Sequence, residues 1–322
     1  MDTAYLPGSL AQMGACTGFD AEQPGTGAAG NSCMFRHLPA DVYHADRDAL
    51  SCSLMKPLLI SPAHFQASLV ACEKTSDARD FGTLVHLLVL QPELASRDLA
   101  VFPGVTDRRS AAGKEAIEQF EQQHLGKLVV DEPVLANGLR VAQKVLETRY
   151  KGRPLRDFVA ESIPEATIYF TEPSTGLRMR IRIDAYHPDI TFDLKTSRFA
   201  LPRPFLQDAV EKDYDLQSYM YSLGRCLYEG LTTARPFVFV VAENAAPHSV
   251  STLEAGSTFM GNGAHKFQTC AAAFKACTQA GYWPDLGSDG SLDIEPWQQS
   301  SGQAAWLAAL GSSAAQEVSA PA

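Results

Sequence analysis

The sequence predicts an α/β (α+β) fold in which one central mixed β-sheet is flanked by helices within a single domain. Three observations carry this. Residues 177–197, LRMRIRIDAYHPDITFDLKTS, alternate twice: Leu177, Met179, Ile181 and Ile183 against Arg178, Arg180, Arg182 and Asp184, then Ile190, Phe192 and Leu194 against Thr191, Asp193 and Lys195. A period of two marks a strand with one buried face, and the Pro188-Asp189 pair between the runs is turn chemistry, so the stretch reads as a β-hairpin. Residues 236–242, PFVFVVA, are an unbroken apolar run of β-branched and aromatic residues, the pattern of a fully buried strand. Helical patterns precede, separate and follow these strands, which puts helices on both sides of the sheet.

With 322 residues, 45% of them hydrophobic, the chain can bury a sizeable core. A net charge of −10 argues against nonspecific coating of nucleic acid but is compatible with a locally basic groove. The cysteines, Cys16, Cys33, Cys52, Cys72, Cys226, Cys270 and Cys277, are odd in number and form no CxxC. They read as reduced thiols and give no support for a zinc site or an iron–sulfur cluster. No run of about 18 apolar residues and no basic-then-apolar N-terminus occurs, so the expectation is a cytoplasmic protein without a membrane partner.

Taken in order, residues 1–39, rich in Gly, Ala, Thr and Ser, are expected to be a flexible leader. Ser51 is an N-cap candidate ahead of Leu54, Met55, Leu58 and Leu59, and Ser61-Pro62 marks a second helix start. Residues 80–91, DFGTLVHLLVLQ, are apolar almost all round, as a buried helix is. His86 sits one turn after Gly82, whose missing side chain lets another backbone approach that face. A packed core histidine and a ligand are both open there. Residues 110–127 and 131–150 read as two charged amphipathic helices, with Arg108, Arg109 and Lys114 as a solvated face rather than phosphate contacts.

Residues 165–171, EATIYFT, are a strand that ends at the turn Pro173–Gly176. Glu165 enters it near the hairpin, either as a further acid of a site or as a surface glutamate. Past the hairpin come Arg198 and a break at Pro202-Arg203-Pro204, then one or two helices over 205–229, ending at Gly230. Gln217 and Tyr221, at i and i+4, share a helix face. Residues 248–254 add an edge strand and 258–280 the last helix. GYWPDLG and DIEPW close an ordered region at residue 297, and 298–322, Gln-, Ser- and Ala-rich, are expected to be disordered.

The polar face of the hairpin asks for chemistry. With a two-residue turn at Pro188-Asp189, Asp184 falls opposite Asp193, and like charges facing each other at about 5 Å are destabilising. A divalent cation held between carboxylates resolves this, with Lys195 beside it to hold or activate a water. Three arginines neutralising two aspartates on a solvated face resolve it equally.

In sequence order the candidates are Gly82-xxx-His86, Asp184, Asp193-Leu194-Lys195 and Gln217-xxx-Tyr221. This constellation resembles the PD-(D/E)xK nuclease superfamily, in its RecB-like subgroup with a histidine from an upstream helix. It is most similar to the phage-type exodeoxyribonuclease VIII (RecE-like) family. YHADRDALSCSLMKPLLISP looks like that family's opening helical segment, DFGTLVHLLVLQPE its histidine helix, EATIYFTEPSTGLRMRIRIDAYHPDITFDLKTS its catalytic core, and GYWPDLG with DIEPW its closing segment. The likeness covers roughly residues 40–297, the expected nuclease domain. Two departures are the absence of the motif's proline, since Ile183 precedes Asp184, and Asp193 in place of Glu. The likeness does not extend to the long N-terminal half of the family's large enzymes.

The resemblance implies a restriction-endonuclease-like core and a Mg²⁺-dependent DNA exonuclease, with Mn²⁺ as an alternative metal. Asp184, Asp193, His86 and the backbone carbonyl of Leu194 would hold the ion, and Lys195 would orient or deprotonate the attacking water. Gln217 and Tyr221 would line the site, and Arg182 is the first candidate for phosphate contact, with a structural ion pair as the alternative. The family's pattern is degradation of linear duplex DNA, 5′→3′, leaving 3′ single-stranded tails for a single-strand annealing recombinase, often as a homo-oligomeric ring. The alternatives are a repair nuclease of the same fold with other polarity or endonuclease action, and a catalytically silent DNA-binding protein.

Overall fold

The structure, a computed structural model, describes residues 21–22, 32–71, 77–103 and 110–287. All its elements lie in one compact unit, Met1–Asp285. The chain begins with strands β1 (Ala21–Glu22) and β2 (Ser32–Phe35), followed by helices α1 (Ala40–Ala45), α2 (Cys52–Met55), α3 (Pro62–Val70) and α4 (Asp77–Leu90). Ser51 caps α2 by accepting from the Leu54 amide, and Ser61 caps α3 by accepting from that of His64, both as the sequence predicts.

A satellite follows. Helix α5 (Ala95–Asp98) leads into β3 (Leu99–Phe102), then come α6 (Ala111–Gln123) and β4 (Leu128–Asp131), and β3 pairs in parallel with β4. The Asp131 side chain caps α7 (Glu132–Glu147) by accepting from Val134. A short ribbon, β5 (Arg149–Tyr150) with β6 (Arg153–Pro154), precedes α8 (Leu155–Ala160).

The main sheet is then laid down by β7 (Ile163–Thr171), β8 (Arg178–Tyr186) and β9 (Thr191–Ser197). Helices α9 (Pro202–Glu211) and α10 (Tyr214–Glu229) cross over to β10 (Phe237–Glu243), and β11 (Val250–Glu254) and α11 (Ser257–Ala280) complete the fold. Its seven strands run β1-β2-β7-β8-β9-β10-β11, the first only two residues long. Among the described strands of this sheet only β9 and β10 pair in parallel, so the sheet is mixed, and helices rather than a tight turn join that parallel pair.

One face of the sheet packs Ile168, Met179, Ile181, Phe239 and Val241 against Leu216 and Met220 of α10 and Phe267 and Phe274 of α11. The other packs Phe192, Leu194, Val238 and Val240 against Val85 and Val89 of α4 and Val141 and Val145 of α7. Helices α10 and α11 cross so closely that a Cβ on Gly263 would lie 2.0 Å from the Asp215 carbonyl oxygen, so only glycine fits. No helix among the described residues is long and apolar enough to cross a membrane.

Two expectations need correction. Ser32–Phe35, assigned to a flexible leader, is a strand paired antiparallel to β7 from Ser32–Phe170 to Phe35–Thr167. Its four residues carry little local signal; the open edge of β7 supplies the partner groups. Leu128–Asp131, at the junction of two predicted helices, is a strand because β3 offers it a parallel edge. The leader's residues 1–20, Arg108 and Arg109, DIEPW and the tail 298–322 lie outside the described residues.

Candidate active site

The hairpin register is the predicted one. Ala185 pairs with Phe192 and Tyr186 with Thr191, which leaves Pro188-Asp189 at the turn. Its turn is stapled from outside by Arg225 of α10, a buried guanidinium that donates to the carbonyls of His187 (2.6 Å), Pro188 (3.1 Å) and Ile190 (2.6 Å) and to the Thr191 hydroxyl (3.0 Å). Nothing in the sequence singled out Arg225.

Beyond Ala185 the sheet departs from simple alternation. Met179, Ile181 and Ile183 face the α10 side, but Ala185 belongs to the opposite core and Tyr186 packs back on the first. The phase slips on β7 as well, where Ile163 and Ala166 face the same side and Glu165 between them has φ 54°. A left-handed φ is costly for a glutamate, and such outliers collect at functional sites. The slip turns Glu165 and Asp184 out of the regular ladder, at the point where α4 brings in His86.

Ligand-type atoms of His86, Glu165 and Asp184 all lie within 4.8 Å of one another. The His86 Nε2–H donates to the Leu194 carbonyl at 2.7 Å, while its Nδ1 is 3.6 Å from Asp184 Oδ2. In neutral His86, Nδ1 is then a lone pair turned toward a carboxylate, an arrangement that a proton or a cation between them satisfies. Asp184 Oδ2 also accepts from the Leu194 amide at 2.8 Å. Burial is the main cause that pushes the Asp184 carboxyl up to about 7; the His86 charge opposes it and that of Asp193 adds to it. Gly82 earns its place, since a Cβ there would lie 3.3 Å from Thr196 Oγ1 on β9. The helix carrying His86 therefore sits directly on the strand that carries the Asp193-Leu194-Lys195 motif.

The second half of the site is built on β9 and α10. Asp193, 1% exposed, accepts from Gln217 Nε2 at 2.7 Å on one oxygen and pairs with the Lys195 ammonium at 2.6 Å on the other. Burial would lower the Lys195 pKa, but the charges of Asp193 and Asp184 outweigh it and hold the amine protonated above its usual range. The ammonium lies 4.7 Å over the ring of Tyr214, with Lys56 on the same ring at 5.5 Å. Sequence reasoning missed Tyr214, although it stands one turn before Gln217 and shares its helix face.

His86, Asp184, Asp193, Lys195 and Gln217 are thus brought together, and Glu165 joins them. Tyr221 is buried with its ring 6.3 Å from that of Phe237; burial raises its hydroxyl pKa and the charges of Asp193 and Asp184 add to it, while the aromatic directly against Lys195 is Tyr214. One expected residue is placed differently. Arg182 is committed inside the protein: it donates to Glu165 at 2.6 Å and to the Leu38 carbonyl at 2.9 Å, and its guanidinium lies over Tyr43. The Leu194 carbonyl orients His86, a role that supports a ligand without requiring it to be one. Carboxylate oxygens with one imidazole suit a hard divalent cation, so the donor set fits such an ion.

Comparison with known proteins bears on the family and the fold. A family profile described as "PDDEXK-like domain of unknown function (DUF3799)" matches residues 51–291. No curated protein sequence matches. Among solved structures, a protein from Eubacterium rectale provisionally named an exonuclease superposes with a TM-score of 0.51 at 12% identity, over 83% of this chain and 99% of that one. At that identity the likeness speaks to the fold. A protein designated SSO0001 gives a TM-score of 0.24 at 15% identity, over 67% of this chain and 84% of that one. Rai1 of Scheffersomyces stipitis gives 0.24 at 12% identity, over 70% and 67%. Neither of these two bears on the argument.

Proposed function

Because the chain belongs to the family of PDDEXK-like domains of unknown function (DUF3799), we propose that it is a metal-dependent deoxyribonuclease: a Mg²⁺-dependent exonuclease of linear duplex DNA. The observation that carries this is the His86–Asp184–Glu165 cluster lying beside the Asp193–Lys195 ion pair, all in reach of strand β9. Family membership and a fold shared with a protein provisionally named an exonuclease support it.

Asp184, Glu165 and His86 would hold the ion, with Asp193 able to join them if Lys195 releases it. The chemistry that Mg²⁺ would supply when held there is neutralisation of the scissile phosphate, a more acidic water and a stabilised leaving oxygen. Mn²⁺ would serve in its place, since the donors are the same. Lys195, held charged by its two aspartates, acts as a hydrogen-bond donor to the developing anion and orients the attacking water. Gln217 and Tyr214 fix the Asp193–Lys195 pair, and Arg182 keeps Glu165 turned toward His86.

In its finer form the proposal is 5′→3′ degradation that leaves 3′ single-stranded tails for an annealing recombinase in phage-type recombination, by a homo-oligomeric ring acting in the cytoplasm. The nuclease domain spans residues 40–297, extended by the Ser32–Phe35 strand. End-labelled linear duplex and closed circular DNA, each with Mg²⁺ or EDTA, test it. Release of mononucleotides from 5′ ends only with Mg²⁺ is the expected result. Nicking of the circle would replace it with an endonuclease of the same fold, and binding without cleavage with a catalytically silent DNA-binding protein.

A further inference from the structure

Immediately past the motif strand, the chain presents two large apolar side chains to solvent. Phe199 is 45% exposed and Leu201 61%, and between them Ala200 is buried at 2%. The backbone that carries them is pinned to the end of β10. Asn244 donates to the Ser197 carbonyl at 3.0 Å, the Ala200 amide to Glu243 Oε1 at 3.2 Å, and the Phe199 amide to Ser197 Oγ at 3.4 Å. Glu243 is itself held, its other oxygen accepting from the Ser249 amide at 3.1 Å. The two side chains therefore stand on a fixed support, so little conformational freedom is left to lose on binding.

The flanking charges identify the ligand. Arg198 lies 5.2 Å over the Phe199 ring, Arg203 is exposed three residues on from Ala200, and neither meets a carboxylate among the described residues. In a chain of net charge −10 this is a local positive rim around an aromatic face. An apolar protein partner would not call for two unpaired guanidiniums, whereas a strand with stacked bases and phosphates offers a counterpart to both parts. Phe199 lies four residues past Lys195, beyond the end of the strand at Ser197, so their backbones are at most about 13 Å apart, within a few nucleotides of a strand.

We propose that Phe199 and Leu201, rimmed by Arg198 and Arg203, form a base-stacking platform that binds unpaired nucleotides of DNA a few positions from the scissile phosphate. The inference rests on DNA as the substrate and adds a single-strand subsite to it. Its test is a binding cycle on the full chain in EDTA, read by fluorescence anisotropy with a labelled thymidine 20-mer and with the same backbone lacking its bases. The parent should bind the base-bearing strand about tenfold tighter. Phe199→Ala should abolish that preference, Phe199→Trp should keep it, and Arg203→Ala should weaken both strands alike. Equal binding of the two strands by the parent, or a base preference retained in Phe199→Ala, overturns the platform. So does sedimentation showing that Phe199→Ala and Leu201→Ala only separate copies of the chain. A parent that binds neither strand and cuts no duplex would instead remove the nuclease reading on which the platform stands.

Discussion

Two clusters with nearly the same ingredients lie at the start of α10. Asp213, Asp215, Lys266 and Asn262 make one; Asp193, Asp184, Lys195 and Gln217 make the other. In the first, the Lys266 ammonium has acceptors for all three of its protons: Asp213 at 2.7 Å, Asp215 at 2.9 Å and the Val210 carbonyl at 3.3 Å. Asp215, fully buried, accepts from Asn262 on one oxygen and from Lys266 and the Leu216 amide on the other. In the second, Lys195 has one carboxylate and a ring, and Asp184 shares an oxygen between a backbone amide and an imidazole lone pair. A saturated network fixes a helix crossing; an unsaturated one of the same composition has capacity left for a cation and a substrate. Residue types alone do not separate structure from chemistry here, whereas the count of satisfied donors and acceptors does.

The sharpest way to break this contrast is to remove each lysine. Lys195→Ala, and likewise Asp193→Ala, should lower duplex cleavage by about 10³-fold or more with the far-UV circular dichroism spectrum unchanged. Cleavage like the parent's would class the second cluster with the first. Lys266→Met should do the reverse. Leaving the buried Asp215 and the half-buried Asp213 without their counter-charge should cost about 3 kcal/mol in urea unfolding, with cleavage per folded molecule at the parent's level. A loss under about 1 kcal/mol would show that the network is not structural.

A smaller effect is expected at Tyr214. Tyr214→Phe keeps the ring under the Lys195 ammonium and should cleave nearly as the parent does, while Tyr214→Leu should lower kcat by about tenfold. Equal rates for the two variants would mean that the ring merely fills space.

The pH dependence comes next. With the Asp184 carboxyl pushed up to about 7, a cation must displace a proton below that pH. Apparent metal affinity, followed by calorimetric titration of the parent, should therefore fall about fivefold from pH 7 to pH 6 and roughly tenfold for the next unit; an affinity flat over that range would show that no carboxyl proton is displaced. Without metal the sign for the fold is opposite. A raised carboxyl contributes stability that is fully present below the ordinary carboxylate range and is lost as the pH rises through about 7.

Much of this was legible in the sequence because it is periodic. The alternation through Leu177–Lys195 fixes the hairpin and its register, the run Pro236–Ala242 the buried strand, and Gly82 with His86 the helix that leans on β9. What was not legible depends on partners distant in the chain. Ser32–Phe35 becomes a strand only because β7 has a free edge. The phase slip at Glu165 and Asp184 is a backbone event that side-chain alternation does not encode, and it is why Glu165, a candidate of equal standing with a surface glutamate, ends beside His86. Arg182 read as a phosphate contact because it lies two residues from Asp184, but the slip leaves it facing Glu165 and Tyr43. Tyr214, one turn before Gln217, carries the ring under Lys195, a contact that no spacing in the sequence marked.

His86, Glu165 and Asp184 are proposed to hold a divalent cation beside Lys195. Manganese binding followed by electron paramagnetic resonance tests it without any turnover. The parent should take up a bound ion at pH 8, and Asp184→Asn and His86→Ala should each lose it while remaining folded. A parent that leaves the manganese signal of the free ion unchanged, or variants that bind as the parent does, would contradict it.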